Sequence, residues 1–248
     1  MDRSDLYDKM ADRKMKPKDF EPYDGHNGRV NKAVNLIRQG KLRNSGTLLD
    51  VGGGIGDLGY AVRDLFSNRI TMDISFKSLE AAVAKGNFGI LADVDKEGFG
   101  SGVHRIPDTT VDLICALDFI EHIVDPEHFA RECYRVLKPS GEVFINTPNI
   151  RYWKHIDQLW RAGRFPHTSG DREVYHGGHL AFYTYSDLRE IFEPAGFTSV
   201  EQIKDEEGYH NPPSPYVDGF KLSSQQEYAR LMLELGCPNL LYKAIVTK

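Results

Sequence analysis

Between residues 50 and 56 the chain reads Asp-Val-Gly-Gly-Gly-Ile-Gly, with Asp50, Gly52, Gly54 and Gly56 on alternate positions. An apolar run from Thr47 to Val51 leads into it, and Leu58 to Phe66 follows with helical periodicity. A strand passing through glycines into a helix is the opening of a parallel α/β sheet. Glycines let the backbone approach a ligand closely and take dihedrals that a Cβ forbids. A dinucleotide-binding loop favours Gly-x-Gly-x-x-Gly, which presents a helix N-terminus to a pyrophosphate. The alternate spacing here departs from that pattern.

The alternation then continues. Arg69 to Ile74 reads as a second strand, Ser78 to Lys85 as a helix, Phe88 to Asp93 as a third strand and Val111 to Leu117 as a fourth. Pro126 to Leu137 reads as a helix and Glu142 to Asn146 as a fifth strand, after a Pro139-Ser140-Gly141 turn. Upstream, Val30, Ala33, Val34 and Ile37 mark a helix within Gly28 to Leu42. Beyond Pro148 the regularity breaks, and residues about 149–180 mix Tyr152, Trp153, Trp160 and Phe165 with Arg151, Lys154, Arg161, Arg164 and Arg172. This stretch is predicted to be an inserted cap. A helix from Ser186 to Glu193 with a serine N-cap, a strand from Ser199 to Ile203, a helix near Ser223 to Leu235 and a strand from Leu241 to Val246 complete the chain. Residues 1–24 are polar and read as a flexible tail or loose flap, leaving 25–248 as one domain. At 248 residues, two full domains would be a tight fit.

A formal net charge of −5 supplies no global field for gripping a phosphate backbone, so nucleic acid is disfavoured as a partner. Cys115, Cys133 and Cys237 lack CxxC or CxxH spacing and suit a reducing compartment better than a disulfide framework or a zinc site. No apolar h-region opens the chain, and nowhere do about 18 apolar residues run together. The expectation is a cytoplasmic chain without a membrane partner.

The second strand ends at Asp73, where an open α/β sheet places an acid to accept hydrogen bonds from ribose hydroxyls. The third ends at Asp93, suited to an adenine amino group. These motifs resemble the class I S-adenosylmethionine-dependent methyltransferases, most closely the bacterial group with a Leu-Asp-Val-Gly-x-Gly-x-Gly loop. The resemblance extends through Phe-Ile-Glu-His-Ile-Val-Asp-Pro (119–126), Arg-Val-Leu-Lys-Pro-Ser-Gly-Glu (135–142) and His-Leu-Ala-Phe-Tyr-Thr (179–184), and covers roughly 28–203. It implies a Rossmann-like α/β sheet, mostly parallel with an antiparallel last strand, holding S-adenosylmethionine across its C-terminal edge. Asp50, Gly52, Gly54 and Gly56 would lie beside the amino-acid part, Asp73 at the ribose and Asp93 at the adenine, with Ile74, Val94 and Leu117 alongside.

In-line transfer from sulfonium to oxygen or nitrogen is largely a positioning problem, and an acidic nucleophile must also lose a proton. Asp118-Phe119-Ile120-Glu121-His122 follows the fourth strand, and the cap contributes His176-Gly177-Gly178-His179. An acid-x-x-Glu-His pattern with a later histidine resembles the divalent-metal site of some small-molecule and RNA 2′-O-methyltransferases. That resemblance implies Asp118, Glu121, His122, His176 and His179 as ligands to an ion such as Mg²⁺. Without a metal, His179 is the expected general base and Asp118 a second catalytic residue. Arginines beside Trp and Tyr suit phosphate, carboxylate or sugar groups. The leading expectation is O-methylation of a small-molecule or sugar-type acceptor; alternatives are an RNA 2′-O-methyltransferase and a non-catalytic nucleoside-binding protein.

Overall fold

The computed structural model describes residues 3–102, 105–169, 178–206 and 208–246. In chain order these form α1 (Arg3–Lys14), α2 (Gly28–Arg38), β1 (Gly46–Val51), α3 (Asp57–Ala61), β2 (Phe66–Asp73), α4 (Phe76–Ala84), β3 (Phe88–Leu91) and α5 (Val94–Glu97). There follow β4 (Val111–Leu117), α6 (Pro126–Val136), β5 (Leu137–Pro148), α7 (Trp153–Ala162), α8 (Tyr185–Phe192), β6 (Phe197–Ile203), α9 (Gln225–Gly236) and β7 (Asn239–Val246). The strands make a seven-stranded sheet in the order β3-β2-β1-β4-β5-β7-β6. β1 to β5 pair in parallel, and β7 runs antiparallel to both β5 and β6. The Rossmann-like sheet with an antiparallel last strand is therefore present.

The central strands are apolar on both faces because helices cover both. Leu48, Leu113, Cys115 and Phe144 point to one side, where Ala33 and Ile37 of α2 and Leu58 of α3 close over them. Leu49, Val51, Ile114, Ala116, Val143 and Ile145 point to the other, against Phe129 and Cys133 of α6 and Leu188 and Phe192 of α8. All three cysteines are buried and unpaired.

Several local expectations change. In place of a flexible tail, Arg3–Lys14 is a helix packed on α4. Ser75 donates to Asp8 at 2.7 Å, Lys77 pairs with Asp12, and Arg3 pairs with Asp95. Within the cap, Trp153–Ala162 is helical. α8 begins earlier than Ser186 because Thr184 is its cap: its hydroxyl accepts from the Asp187 amide at 3.3 Å, and Asp187 accepts from the Thr184 amide at 2.7 Å. Phe66, expected at the end of a helix, starts β2 instead, since α3 stops at Ala61.

Candidate active site

β1, β2, β3 and β4 all end on one edge of the sheet, and the loops leaving them frame a cavity of about 540 Å³. Gly52, Asp73, Ile74, Asp93, Val94 and Asp118 line it. A neighbouring cavity of about 440 Å³ shares Gly52, Asp73 and Asp118 and continues along Gly53, Gly54 and Ile55, with Asp50 and Leu117 in its wall. The structure thus brings together nearly every residue expected at the nucleoside and amino-acid ends of a cofactor. Gly56 lies just behind, as the N-cap of α3.

The glycine spacing has a mechanical reason. Gly52, Gly54 and Gly56 have φ of +67°, +53° and +74°, a region that disfavours side chains. At Gly52 a Cβ would come within 2.4 Å of the Phe119 ring, and at Gly56 within 2.4 Å of Asn87. At Gly54 the space is open, and its amide donates to Asp73 Oδ2 at 2.9 Å. Asn87 is a residue that sequence reading passed over: its buried side chain donates to the Gly56 carbonyl at 2.9 Å and fixes the far end of the loop. Asp73 Oδ1 accepts from the Ser75 amide at 2.8 Å, so two backbone donors aim its carboxylate while burial pushes its pKa up.

Asp50 is buried under the loop, and desolvation, reinforced by Asp73, pushes it up to about 8. Asp93 caps α5 by accepting from the Asp95 amide at 3.2 Å, with the Lys96 ammonium 3.1 Å away. Asp95, also unforeseen, accepts from the amides of Val124 and Asp125 and pairs with Arg3 of α1. Arg3 donates in addition to the His122 carbonyl, so α1 lies across the cavity mouth with Arg3, Tyr7 and Met10 in its wall. No short-range pattern in residues 1–14 announces these partners.

Opposite the glycine loop lies a second group. Glu121 is buried; Oε2 accepts from the Thr147 hydroxyl at 2.8 Å, while Oε1 has no hydrogen-bond partner and sits 4.0 Å from His179 Nε2. Burial, reinforced by Asp118, pushes Glu121 up to about 8. His179 Nδ1 meets the Thr168 hydroxyl at 2.8 Å, and His122 Nδ1 meets the Gly178 carbonyl at 3.2 Å. Each imidazole is thereby oriented through Nδ1. The His122 and His179 rings stand edge to face with centroids 4.9 Å apart, and burial pushes His122 below the usual imidazole range. One ligand atom from each of Glu121, His122 and His179 lies within 4.8 Å of the others. The cap reaches them because the Glu121 carbonyl accepts from the amides of Leu180 and Ala181.

Asp118, expected to join this group, is turned away. Its φ is +51°, and its carboxylate accepts from Arg29 of α2 at 2.6 Å, so an ion pair occupies it at the cavity wall. Arg29 is therefore a site residue that sequence reading missed. His176, the fifth expected ligand, lies outside the described residues.

The two raised carboxyls fix a sign for stability against pH. The folded chain holds Asp50 and Glu121 protonated up to about pH 8, whereas unfolded carboxyls titrate near 4. Between those limits the folded state binds more protons, so their contribution is full below about pH 4 and is lost as pH rises to 8. The melting temperature of the wild type, relative to an Asp50→Asn/Glu121→Gln double variant, is expected to fall between pH 5 and 8 and then level. A pH-independent difference would contradict the burial argument.

Residues 25–202 match the family described as methyltransferase domain. A protein of Mycolicibacterium smegmatis named "probable S-adenosylmethionine-dependent methyltransferase" is 30% identical over 92 residues, 37% of this chain and 30% of that one, so the match spans under a third of that relative. The ubiquinone/menaquinone biosynthesis C-methyltransferase of Citrobacter koseri is 28% identical over 176 residues, covering 64% of this chain and 69% of its own. Among solved structures, an S-adenosylmethionine-dependent methyltransferase from Archaeoglobus fulgidus superposes with a TM-score of 0.59 at 18% identity, covering 88% of this chain and 95% of its own; at that identity it shows the shared fold.

Proposed function

The chain belongs to the methyltransferase-domain family and is an S-adenosylmethionine-dependent enzyme, and from that premise we propose that it O-methylates a small-molecule acceptor. The two cavities divide the work within one domain, whose cap spans about 149–180. Gly52–Gly56, Asp73 and Asp93 would hold S-adenosylmethionine, which supplies the methyl group. Arg29, beside Asp118 and Gly52, provides a cation for the cofactor's carboxylate.

The observation that carries the reading is the buried Glu121 beside two imidazoles, across the cavity from the glycine loop. A carboxyl and two imidazoles gathered at a ligand cavity serve an acceptor that must give up a proton. In the reaction the acceptor oxygen forms its bond to the methyl carbon as the carbon–sulfur bond breaks, and the hydroxyl proton passes to His179. His179 is held for this by Thr168 through Nδ1. The products are the methyl ether, S-adenosylhomocysteine and a protonated imidazole that returns its proton to solvent.

The same donors fit a divalent cation, because Glu121 Oε1 is buried without a partner and both imidazoles are oriented through Nδ1. Glu121, His122 and His179 would hold it, and two nitrogens with one carboxylate suit Mn²⁺ or Zn²⁺ better than Mg²⁺. Such an ion lowers the pKa of a hydroxyl bound to it. Chelator-treated protein is expected to lose activity and regain it with Mn²⁺; full activity in excess chelator would leave the imidazole route alone.

A second reading, transfer to an acidic carbon, draws support from the likeness to the C. koseri C-methyltransferase. The proton requirement is the same. Incubating the protein with labelled S-adenosylmethionine and a panel of phenols and enolisable ketones tests both: label on oxygen supports the first reading, label only on carbon the second, and label on neither removes both.

A further inference from the structure

The cap turns an apolar surface outward. Along α7, Trp153, Ile156, Leu159 and Trp160 follow helical spacing on one side, while Lys154, Asp157 and Arg161 take the other. The first half of the stripe is partly covered, with Trp153 packed on Tyr216 at 5.9 Å, whereas the second half, Leu159 and Trp160, is exposed. Trp160 is 79% exposed and Leu159 51%, and Phe165, three residues past the helix, is exposed as well. Cations border this surface. Arg161 pairs with Asp157 at 2.7 Å, whereas Lys154 and Arg164 have no carboxylate partner among the described residues.

We propose that α7 and the segment to Phe165 form a docking surface for an anionic lipid bilayer, with Leu159, Trp160 and Phe165 in the headgroup layer and Lys154, Arg161 and Arg164 at the phosphates. A helix with Trp and Leu on one side and Lys and Arg on the other lies in such an interface, where the indole is at home. The chain as a whole carries −5. An anionic surface therefore attracts this patch and repels the rest, which orients the molecule cap down. No helix among the described residues is long and apolar enough to cross a membrane.

Ring contacts link this surface to the site. The Phe165 ring packs on Phe182 at 4.8 Å, Phe182 on His179 at 6.1 Å, and Thr168 and His179 line the cavity. A bilayer under α7 would deliver an apolar acceptor along these rings. A protein seated there would close the route, and aliphatic Leu159 offers nucleic-acid bases nothing to stack on. The docking surface stands on α7 itself; only the lipid origin of the acceptor rests on the methyl-transfer reading above.

Sedimentation of the full chain with sucrose-loaded vesicles tests it. Partition onto phosphatidylcholine containing about 30% phosphatidylglycerol is expected to exceed that onto pure phosphatidylcholine by about 10-fold or more, and to weaken with salt. Leu159→Ser/Trp160→Ser is expected to lower it about 10-fold or more, with S-adenosylhomocysteine affinity unchanged. Sedimentation that is absent, indifferent to anionic lipid or unaffected by the double variant would overturn the proposal, as would a variant whose main effect is to break up a dimer or to release bound RNA. Retained S-adenosylhomocysteine affinity shows that the fold and donor site are intact, so failure with vesicles counts against the docking surface alone.

Discussion

His179→Ala is expected to slow methyl transfer by roughly 10²- to 10⁴-fold, the range for losing a positioned general base, while S-adenosylhomocysteine binds as tightly as before. The side chain sits between Thr168 and Glu121 in the wall of the cavity. Its removal takes away the proton acceptor and, with it, one of the three donors around Glu121 Oε1. The measurement is release of S-adenosylhomocysteine with a reactive phenol, beside cofactor affinity by calorimetry. Glu121→Gln keeps the shape and the Thr147 contact of the protonated carboxyl, so its effect on turnover should grow only as pH rises toward 8, where the wild-type group ionises. A His179→Ala protein that turns over normally would remove the residue from the chemistry.

Asp73→Ala is expected to act in the opposite compartment, weakening S-adenosylhomocysteine binding by about 10²- to 10⁴-fold; two hydrogen bonds to a charged acceptor, at about 1.5–3 kcal/mol each, set that scale. The carboxylate has two tasks. It faces the cavity where ribose hydroxyls would donate to it, and it holds the Gly54 and Ser75 amides at 2.9 and 2.8 Å. Losing it frees the glycine loop as well as the ligand. Asp73→Asn goes part of the way, because its single amide oxygen can still accept from one of the two backbone N–H groups while the other contact and the charge are gone. An intermediate affinity for Asp73→Asn is therefore expected, and equal affinity for all three proteins would rule out a role at the ribose.

The donor half of this site was legible in the sequence because short-range rules fix it. Strands buried on both faces write continuous apolar runs, as β1 and β4 do, and a loop forced to positive φ three times must write glycine at Gly52, Gly54 and Gly56. Asp73 and Asp93 follow from where those strands end. The acceptor half was only partly legible. Glu121, His122 and His179 stood out by residue type, and the structure gathers them. That Asp118 leaves the group depends on a left-handed backbone at a non-glycine residue and on Arg29, 89 residues away in sequence.

Two of the helices that sequence reading passed over, α1 and α7, fail to announce themselves for different reasons. α1 is mostly polar, and its order rests on long-range pairs such as Arg3 with Asp95, 92 residues apart. α7 carries helical periodicity, but its aromatic residues sit among arginines and none of them reaches the core. Its pattern was built for a surface, which a search for core-facing stripes passes over.

The central claim is that the glycine loop with Asp73 holds the cofactor while Glu121 and His179 act only on the acceptor. Calorimetric titration of S-adenosylhomocysteine into the wild type, Asp73→Ala and Glu121→Ala/His179→Ala tests it directly. Expected are saturable binding to the wild type, the same affinity within about 2-fold for the acceptor-side double variant, and loss of about 10²-fold or more for Asp73→Ala. Binding that survives in Asp73→Ala but disappears in the acceptor-side variant, or a wild type that prefers NADH, would contradict it.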